Sequence, residues 1–531
     1  MCTLSIRSQS RLNAGSGQDW PMPLTLTYPG WPNPLSRGAD HRFLWSAGCA
    51  AAGFRFLHRK VSGIGQDWLP HFCDPVVLRC LSVCISATIL ALTLSAQVVT
   101  PGNFRIAMVG DSVIDRRISV YDEPGYLQIF ERIRGADASF TNFEMLVHNF
   151  EYPGAPVSGG TYVGAPPYVL DELKWAGFKL FNIANNHSFD FGTEGLLSNL
   201  RNFELAGVVY AGAGENLARA RAPGYLDTKK GRVALLACAS TFSPLSPAGE
   251  QRPDLKGRPG LNPLRVQTTY TIEAATLASL RVLARGSESE GGRGGGSSGS
   301  SRSSNLHFLG ATFRAGVTPG VKTEPDANDL KGITDEIRDA RRQADWVVVS
   351  IHAHEGAPGK RELPAEFLVT FAHAAIDAGA DVFVGHGPHL LRGIEIYKGK
   401  PIFYSLGNFI FQNDTVRFQP QENYAQFNLP LTATPADFFD ARSANDTRSY
   451  PSVKEYWESV EAEAVFNANR EVTEIDLYPI TLGFGQRRTQ RGRPLPADPQ
   501  LARLIIDRVS KLSLASGTKI AFEGNKGIWT K

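Results

Sequence analysis

The sequence predicts an α/β protein from residue 104 onward, because short apolar runs alternate with segments of helical periodicity. The apolar runs are strand-like and lie at 104–109, 179–183, 233–237, 346–350, 382–384 and 402–405. The clearest helical patterns lie at 167–176, 194–206, 334–344 and 364–378. Gly177 and Gly379 follow two of these helices, and glycine is the preferred residue just past a helix C-terminus. Strands that alternate with helices favour a layered α/β architecture.

Length and composition describe a globular protein larger than one small domain. The chain has 531 residues, of which 42% are hydrophobic and 20% charged, so we expect one large domain with extensions, or two domains. Lysine and arginine total 55 against 52 aspartate and glutamate residues, a net charge of +3. This near-balance predicts no nucleic-acid partner. Five of the six cysteines precede residue 100, so Cys238 is alone in the α/β region and an internal disulfide is excluded there.

The first 75 residues differ from the rest of the chain. Residues 1–75 are rich in tryptophan, proline and glycine and have no sustained apolar period from which a core could form. We interpret them as a low-order, disordered extension or as non-native sequence from a misplaced start codon.

The segment at 76–98 has the composition of a targeting sequence. Its almost uncharged run of seventeen residues at 80–96 follows Arg79 and ends in Leu-Ser-Ala. Seventeen residues are short for a membrane span, which needs about 20, whereas this pattern is typical of a secretory signal. We expect a signal peptide or signal-anchor segment, with membrane association through 76–98 and an extracellular location, secreted or membrane-anchored. A buried strand–helix element is the alternative, and the protein is cytoplasmic if this segment is spurious.

Two further segments organise the rest of the chain. Residues 286–304 (GSESEGGRGGGSSGSSRSS) cannot bury apolar surface and predict a flexible insert. After residue 415 the sequence becomes more polar, with one strand pattern at 472–480 and one helix pattern at 499–514. We therefore expect a domain at 103–415 and a C-terminal extension at 416–531 that completes it.

Acidic residues follow two of the strand-like runs. Asp111 comes after the run at 104–109 and after Gly110, which lets the backbone turn and project the carboxylate from the carboxyl edge of the sheet. Glu144 follows a further strand-like run. Alone, each is a weak signal, because such carboxylates also occur at ordinary turns, on surfaces and at helix caps.

The run Asn185-Asn186-His187 is more specific. The amide oxygen of Asn186 can complete a hard-metal shell, and the imidazole of His187 can orient or protonate a bound oxyanion. Asp190, three residues later, is placed to hold the tautomer of that imidazole. The alternative is a helix N-cap, with Asp190 or Thr193 starting the helix at 194–206.

Two pairs of histidines follow the apolar runs at 346–350 and 382–384. The pairs are His352 with His354, and His386 with His389. Members of the first pair are two residues apart, so an extended chain points both to one face. Four of eleven histidines at two strand ends indicate shared metal coordination. His373, within a predicted helix, is assigned to packing or solvation.

Together these runs resemble the bacterial capsule-synthesis (CapA-type) proteins of poly-γ-glutamate assembly, relatives of the calcineurin-like metallophosphoesterases. The resemblance is carried by ANNHSFDFG at 184–192, AGAGENLARA at 211–220, GHGPH at 385–389 and GIEIYKGKPIFYSLGNF at 393–409. It covers residues 104–412 and implies an α/β four-layer αββα metallophosphoesterase-like sandwich with a two-metal centre.

The resemblance also implies roles for individual residues. The metal ligands carried over are Asp111, Glu144, Asn186, His352, His386 and His389. His187 resembles the catalytic histidine of metallophosphoesterases, with Asp190 as its partner. That superfamily has a histidine two residues after the first aspartate, where this chain has Val113, and Glu144 replaces its bridging aspartate. His354 or Glu355 would then fill the weaker metal position.

These observations support two functional hypotheses. The first is a hydrolase with two divalent metal ions (Mn, Zn, Fe or Mg) that cleaves a phosphoester or γ-glutamyl amide bond in an anionic small molecule or polymer. The second is a non-catalytic metal-binding component that binds an anionic polymer such as poly-γ-glutamate during synthesis or export, and Val113 favours it. No pattern in the sequence selects the substrate or the oligomeric state.

Overall fold

Strands and helices alternate along the chain, as the apolar runs predict. The computed structural model describes residues 103–288 and 304–531. The predictions for 1–75 and 76–98 concern residues outside these ranges, and most of the insert predicted at 286–304 also lies outside them. The start of that insert was predicted wrongly, because residues 286–288 end the helix Ala274–Glu288. Within the described ranges the fold is mixed α/β, with several sheets and flanking helices.

The first sheet contains ten strands. Eight of them follow one another in the spatial order Ala521–Glu523, Lys526–Thr530, Val472–Thr481, Glu458–Phe466, Phe104–Val113, Ala138–Phe143, Leu180–Asn182 and Val209–Ala211. Asn408–Phe411 pairs with Phe104–Val113, and Leu495–Pro496 pairs with Val472–Thr481. The strands from Phe104–Val113 to Val209–Ala211 are parallel. Their carboxyl ends therefore lie at one edge of the sheet, where open α/β folds bind ligands.

The second sheet contains six strands. Their spatial order is Ile394–Tyr397, Lys400–Phe403, Val382–His386, Trp346–His352, Gly231–Ala239 and Gly224–Thr228. The four central strands are parallel. Every residue of Trp346–His352 is buried, as expected for a parallel strand covered on both faces.

One apolar cluster joins the two large sheets. Ile106 of the first sheet and Val348 of the second both belong to it. The rings of Phe104 and Trp346 stack across it, with centroids 4.2 Å apart. Burial of these large side chains is the main stabilising contribution that holds one sheet against the other.

Helices cover the outer faces of both sheets. Pro124–Gly135, Tyr168–Ala176 and Gly192–Ala206 pack against the first sheet. Ala327–Gln343 and Glu366–Ala378 pack against the second. The other helices of the described ranges are Leu217–Arg221, Ala274–Glu288, Gln421–Ala425, Pro435–Ser443 and Pro499–Ser513, with 3₁₀ turns at Tyr450–Ser452, Lys454–Trp457 and Leu514–Ser516.

The remaining strands form one four-stranded sheet and three two-stranded sheets. A four-stranded sheet has the order Asn305–Phe308, Ala311–Ala315, Val266–Ile272 and Gly320–Pro325. Three two-stranded pairs join Gly260–Leu261 to Ala213–Gly214, Gly356–Ala357 to Lys360–Pro364, and Leu146–Val147 to Gly164–Ala165. None of these elements was predicted from the sequence.

The strong periodic patterns are confirmed, although several ends shift. The strand predicted at 402–405 is Lys400–Phe403, and the helix predicted at 334–344 is Ala327–Gln343. The latter begins earlier because the Asp326 side chain caps the N–H groups of Asn328 and Asp329. Gly177 and Gly379 end their helices as predicted, with φ of 103° and 120°.

The residues after 415 contribute to the first sheet. Glu458–Phe466 pairs antiparallel with Phe104–Val113, and Val472–Thr481 pairs with Glu458–Phe466. The domain boundaries at 75, 98 and 415 stay predictions. None of the helices in the described ranges combines the length and apolar character needed to span a membrane.

Candidate metal centre

Polar residues form a row near the carboxyl ends of the first sheet's parallel strands. Strand pairing places four of these residues side by side, in the order Asn408, Asp111, Asn142 and Asn182. In the second sheet His352 and His386 are neighbours in the same way. The two rows meet, because Asn142 Nδ2 lies 3.3 Å from His352 Nδ1 and Asn182 Nδ2 lies 2.8 Å from His386 Nε2. Both sheets therefore contribute side chains to one buried site.

Asp111 lies inside the strand Phe104–Val113, whereas the sequence predicted it after a turn. The pairing of this strand with Ala138–Phe143 shifts register between Met108 and Asp111, and this irregularity lies directly before the carboxylate. Gly110 is required for close packing, since a Cβ there would lie 1.8 Å from the carbonyl oxygen of Gly407. Gly110 therefore continues the strand, and the turn predicted at this residue is wrong.

The Asp111 carboxylate contacts several groups of the site. It accepts hydrogen bonds from Asn142 Nδ2 at 2.8 Å and from the Gly387 N–H at 3.2 Å. Its oxygens lie 3.5 Å from His386 Nδ1 and 3.4 Å from His389 Nδ1. Burial alone would raise the pKa of Asp111, but the hydrogen bond and charge of His389 hold that pKa below its ordinary value. Asp111 is therefore ionised at neutral pH.

Glu144 is buried without a partner. Among the described residues, neither of its carboxylate oxygens has a hydrogen bond. Its Oε1 lies 3.6 Å from His352 Nε2 and 3.7 Å from His389 Nε2. Burial and the charge of Asp111 raise the pKa of Glu144 well above its ordinary value. A buried polar group without a partner is costly, so this carboxylate fits a site that binds a cation.

Three histidines converge on these carboxylates. His352 Nδ1 lies 3.0 Å from His386 Nδ1, and His352 Nε2 lies 2.9 Å from His354 Nε2. Burial, reinforced by positive charge on neighbouring histidines, lowers the pKa of His354 to about 3 and that of His352 well below its ordinary value. Burial likewise lowers the pKa of His386 to about 4. All three imidazoles are neutral at pH 7 and offer the lone pairs that metals require.

His389 has a strained backbone and a fixed ring. Its φ of 59° lies in the left-handed region that non-glycine residues rarely adopt. Its Nδ1 lies 2.7 Å from Asn408 Oδ1, and Asn408 Nδ2 donates to the Tyr456 carbonyl at 2.9 Å. Burial alone would lower the pKa of His389, but the charges of Glu144 and Asp111 raise it to about 9. Since Nδ1 donates to Asn408, Nε2 is the ring atom left for a ligand.

The carboxylates and imidazoles form three overlapping groups that could each hold a metal ion. They are Asp111 with His352 and His386, Glu144 with His352 and His354, and Asp111 with Glu144 and His389. In each group the donor atoms lie within 4.8 Å of one another. Mixed oxygen and imidazole donors suit Mn, Fe and Zn. Together with the unpartnered Glu144, this donor set fits a divalent cation.

His187 and Asp190 form a hydrogen-bonded pair. His187 Nδ1 lies 2.7 Å from Asp190 Oδ2, which also accepts the Val163 N–H at 2.9 Å. The other oxygen of Asp190 accepts the Gly159 N–H at 3.1 Å. The carboxylate thus fixes the ring of His187 and leaves its Nε2 for another group. The helix Gly192–Ala206 begins without a side-chain cap, which excludes the N-cap alternative.

Asn186 presents one atom for coordination. Its Nδ2 donates to the Gly159 carbonyl at 3.2 Å. Its buried Oδ1 has no hydrogen-bond partner in the described part of the chain. An amide oxygen is the atom of asparagine that a cation binds, so Asn186 is oriented as the sequence predicted for a ligand.

His354 is a better additional donor than Glu355. The Glu355 carboxylate accepts hydrogen bonds from Ser240 Oγ at 2.9 Å and Thr241 Oγ1 at 2.8 Å. Thr241 Oγ1 in turn accepts the His354 N–H at 2.9 Å. Glu355 therefore positions the loop that carries His354, and its oxygens belong to none of the three donor groups.

A cavity of about 390 Å³ lies at this site. Its lining includes the predicted residues Glu144, Asn186, His187, His354 and His389, the neutral residues Val113, Thr161, Phe411, Asn413, Tyr450 and Tyr456, and the cations Arg361 and Arg442. The remaining predicted ligands, Asp111, His352 and His386, are fully buried. A molecule in the cavity can thus contact His187 and the donors Glu144, His354 and His389 at the same time.

Three asparagines of the site were missed in the sequence. Asn142 bonds Asp111, Asn408 bonds His389, and Asn182 lies against His386. Asn142 lies two residues before the predicted Glu144, and Asn408 lies in the run at 393–409 that carries the family resemblance. Their roles depend on strand pairing between distant segments, which the local pattern does not contain.

Comparison with known proteins adds an independent observation. The sequence profile of the bacterial capsule synthesis protein PGA_cap matches residues 105–413. This chain belongs to the PGA_cap family. All eight predicted site residues, from Asp111 to His389, lie within the matched segment.

Relatives of the chain include proteins of two groups of bacteria. The proteins y4sH and y4uA of Sinorhizobium fredii are each 36% identical over 439 residues, which cover 80% of this chain and 92% of theirs. The capsule biosynthesis protein CapA of Bacillus anthracis is 26% identical over 321 residues, 59% of this chain and 61% of that protein. The PGA biosynthesis protein CapA of Bacillus subtilis is 25% identical over 352 residues, 64% of this chain and 72% of that protein.

Proposed function

We propose that this member of the PGA_cap family is a divalent-metal-dependent hydrolase that cleaves a phosphoester or a γ-glutamyl amide bond. The observation that carries the proposal is Glu144, a buried carboxylate without a hydrogen-bond partner among the described residues, surrounded by imidazoles. A site that only stabilised the fold would pair this carboxylate with a protein donor.

Two cations suit the donor set better than one. The three donor groups share Asp111, Glu144 and His352 between them. Asp111 with His352 and His386 would hold one ion, and Glu144 with His389 would hold the other, Asn186 Oδ1 being a further donor. Bound there, divalent cations supply Lewis-acid activation of water and of the scissile group.

His187 and Asp190 supply proton transfer. His187 lines the cavity, and because its Nδ1 is hydrogen-bonded to Asp190, its Nε2 is left for a molecule bound there. When the ring is charged, Nε2–H can donate its proton to the leaving oxygen or nitrogen, and Asp190 stabilises the charged ring before that transfer. His187 is thus the general acid of the proposed reaction and Asp190 its positioning residue.

The proposal includes a four-layer αββα arrangement of the metallophosphoesterase type. Two observations support it: an apolar cluster shared by the two large sheets, and helices on the outer face of each. Donors from the strand ends of both sheets accord with this layering.

A second candidate function is a non-catalytic component that binds an anionic polymer such as poly-γ-glutamate during synthesis or export. Val113 favours it, because this apolar residue lines the cavity where the resemblance to phosphoesterases implies a histidine. The names of the Bacillus relatives, which refer to capsule and PGA biosynthesis, accord with either function and with an extracellular or envelope location.

The test measures metal content and hydrolysis on the full chain. Phosphomonoesters, phosphodiesters and γ-glutamyl peptides are assayed with Mn²⁺, Zn²⁺ and Mg²⁺, using Asp111→Ala, His386→Ala and a control, His373→Ala. His373 lies outside the site, with Nε2 2.8 Å from Glu395 Oε1. We expect two ions per parent chain and activity that only the first two variants lose. Fewer than one ion per chain, with no activity that they abolish, would contradict the hydrolase, whereas bound metal without hydrolysis would support the binding component.

A further inference from the structure

Two arginines line the cavity together with the predicted catalytic histidine. Arg361 lies in the hairpin of Gly356–Ala357 and Lys360–Pro364, and Arg442 lies in the helix Pro435–Ser443. The distance in sequence between them shows that two separate parts of the chain bring positive charge to one cavity.

Neither guanidinium group forms an ion pair with a carboxylate in the described ranges. Arg361 Nη1 donates to the Tyr456 hydroxyl at 2.6 Å. Arg442 Nη1 donates to Thr161 Oγ1, and its guanidinium carbon lies 5.8 Å from the centre of the Tyr450 ring. All these partners are neutral, so both arginines keep their full charge for a ligand.

Neighbouring arginines that lie outside the cavity lining are paired differently. Arg491 Nη1 donates to Asp446 at 2.7 Å, and its Nε donates to Asp414 at 2.8 Å. Arg488 Nη2 donates to Asp440 at 2.6 Å. The carboxylates of this region are therefore engaged by Arg488 and Arg491, and none of them neutralises Arg442.

The two arginines differ in their relation to the family, because Arg361 lies inside the matched segment and Arg442 lies beyond it. Every predicted metal ligand lies within residues 105–413, which the family profile matches. Arg442, Tyr450 and Tyr456 follow that segment. The cavity thus combines the metal donors and Arg361 from the matched segment with Arg442 and two tyrosines from residues beyond it.

We propose that Arg361 and Arg442 bind an anionic group of the substrate, a carboxylate or a phosphate, that is separate from the bond to be cleaved. Guanidinium groups hold both anions through paired, charge-assisted hydrogen bonds. The substrate class is therefore one that carries at least one additional anionic group beside the reacting bond. This inference rests on the proposed function for the existence of a reacting bond, but the binding of the anion does not require turnover.

The test is calorimetric binding to the full chain. The probes are γ-linked triglutamate, the same peptide with its α-carboxylates converted to amides, and inorganic phosphate. We expect triglutamate to bind the parent at least tenfold more tightly than its amide, and Arg442→Gln and Arg361→Gln each to weaken triglutamate binding about tenfold. Preferential binding of phosphate would support the inference and identify the group as a phosphate.

Matched variants separate charge from folding. Arg448→Gln changes an exposed arginine of the same region, whose Nη2 donates to the Ala441 carbonyl at 3.3 Å, and we expect no effect on binding. Arg442→Lys keeps the charge but loses the paired donors, and it is expected to recover part of the affinity that Arg442→Gln loses. Equal binding of the acid and amide peptides without binding of phosphate, or anion binding that Arg442→Gln and Arg361→Gln leave unchanged, would overturn the inference. Anion binding without hydrolysis would overturn only the proposed function.

Discussion

The metal centre and the arginine network (Arg488, Arg491, Asp414, Asp440 and Asp446) each contain a buried carboxylate, and the two differ in their partners. Glu144 has imidazoles around it but no hydrogen bond in the described part of the chain. Asp414 is equally inaccessible and one of its oxygens also has no hydrogen bond there, yet Arg491 donates to the other. A buried carboxylate needs an opposite charge. The network supplies it through hydrogen bonds from arginine, whereas no described group donates to Glu144, which suits a metal ligand.

The largest effect should come from breaking the arginine network. Arg491→Met leaves Asp414 and Asp446 without their main cation, and removing one partner of a buried ion pair costs about 3–5 kcal/mol. We expect that loss in the free energy of unfolding measured with urea. Arg448→Met is the control and should change it by less than about 0.5 kcal/mol. A loss no larger than in this control would show that the network does not stabilise the fold.

A second paired carboxylate is Glu461, whose Oε2 lies 2.6 Å from Arg132 Nη2 and whose other oxygen, like one of Asp414, has no hydrogen bond among the described residues. Burial raises the pKa of Glu461 to about 7, and the nearby Arg132 only partly opposes it. The folded chain therefore keeps a proton that the unfolded chain releases. The resulting stabilisation is complete below the ordinary pKa near 4.5 and is lost as pH rises through 7.

Glu461 should therefore contribute a fall of up to about 3 kcal/mol to the free energy of unfolding of the parent between pH 4.5 and 7.5, in addition to the changes from other groups. Glu461→Gln cannot ionise, so its free energy of unfolding should fall less over the same range. Urea unfolding at a series of pH values checks this. Parallel pH profiles for parent and variant would mean that Glu461 ionises normally in the folded chain.

Metal addition tests the metal centre, as Arg491→Met tests the arginine network. With Mn²⁺ at about one hundred times its dissociation constant, the parent should gain about 2.7 kcal/mol over the chelator-treated chain. Glu144→Gln should remove most of this gain but unfold like the parent in chelator, since the raised pKa of Glu144 favours the neutral form there. His373→Gln is the control. Equal gains in parent and Glu144→Gln would remove Glu144 from the metal site.

The smallest effect is expected from Asn408, which orients His389 through a hydrogen bond of 2.7 Å. Asn408→Ala frees the ring to turn and should lower metal affinity about tenfold, or about 1.4 kcal/mol. Competition with a chromophoric chelator measures the affinity without any substrate. An unchanged affinity would show that packing alone positions His389.

Sequence patterns predicted the elements whose burial is periodic. Trp346–His352 and Glu366–Ala378 have strong apolar patterns and were predicted close to their observed ends. The strand Glu458–Phe466 was missed, because its inward residues include two alanines and Glu461 and Glu463 make its sequence look polar. Its place beside Phe104–Val113 depends on pairing between residues more than 340 positions apart.

The same distinction applies to the site. His187 and Asp190 are three residues apart, so their hydrogen bond could be predicted from local sequence. Asn142 and His352 are separated by 210 residues, and only the packing of one sheet on the other brings them together. The role of Arg442 could not be predicted from local sequence either, because that role depends on the cavity that Arg442 lines.

The spread of donors along the chain has a consequence for how the protein acquires its metal. Asp111 and Glu144 are synthesised early, whereas His352, His386 and His389 follow more than 200 residues later. Since domains fold as units and a metal site rarely exists in an unfolded chain, no intermediate on the ribosome can present the complete site. Metal loading at this site would thus be a late maturation step. Imidazole and carboxylate donors select weakly among divalent ions, so the compartment in which the finished chain folds would determine which ion it receives.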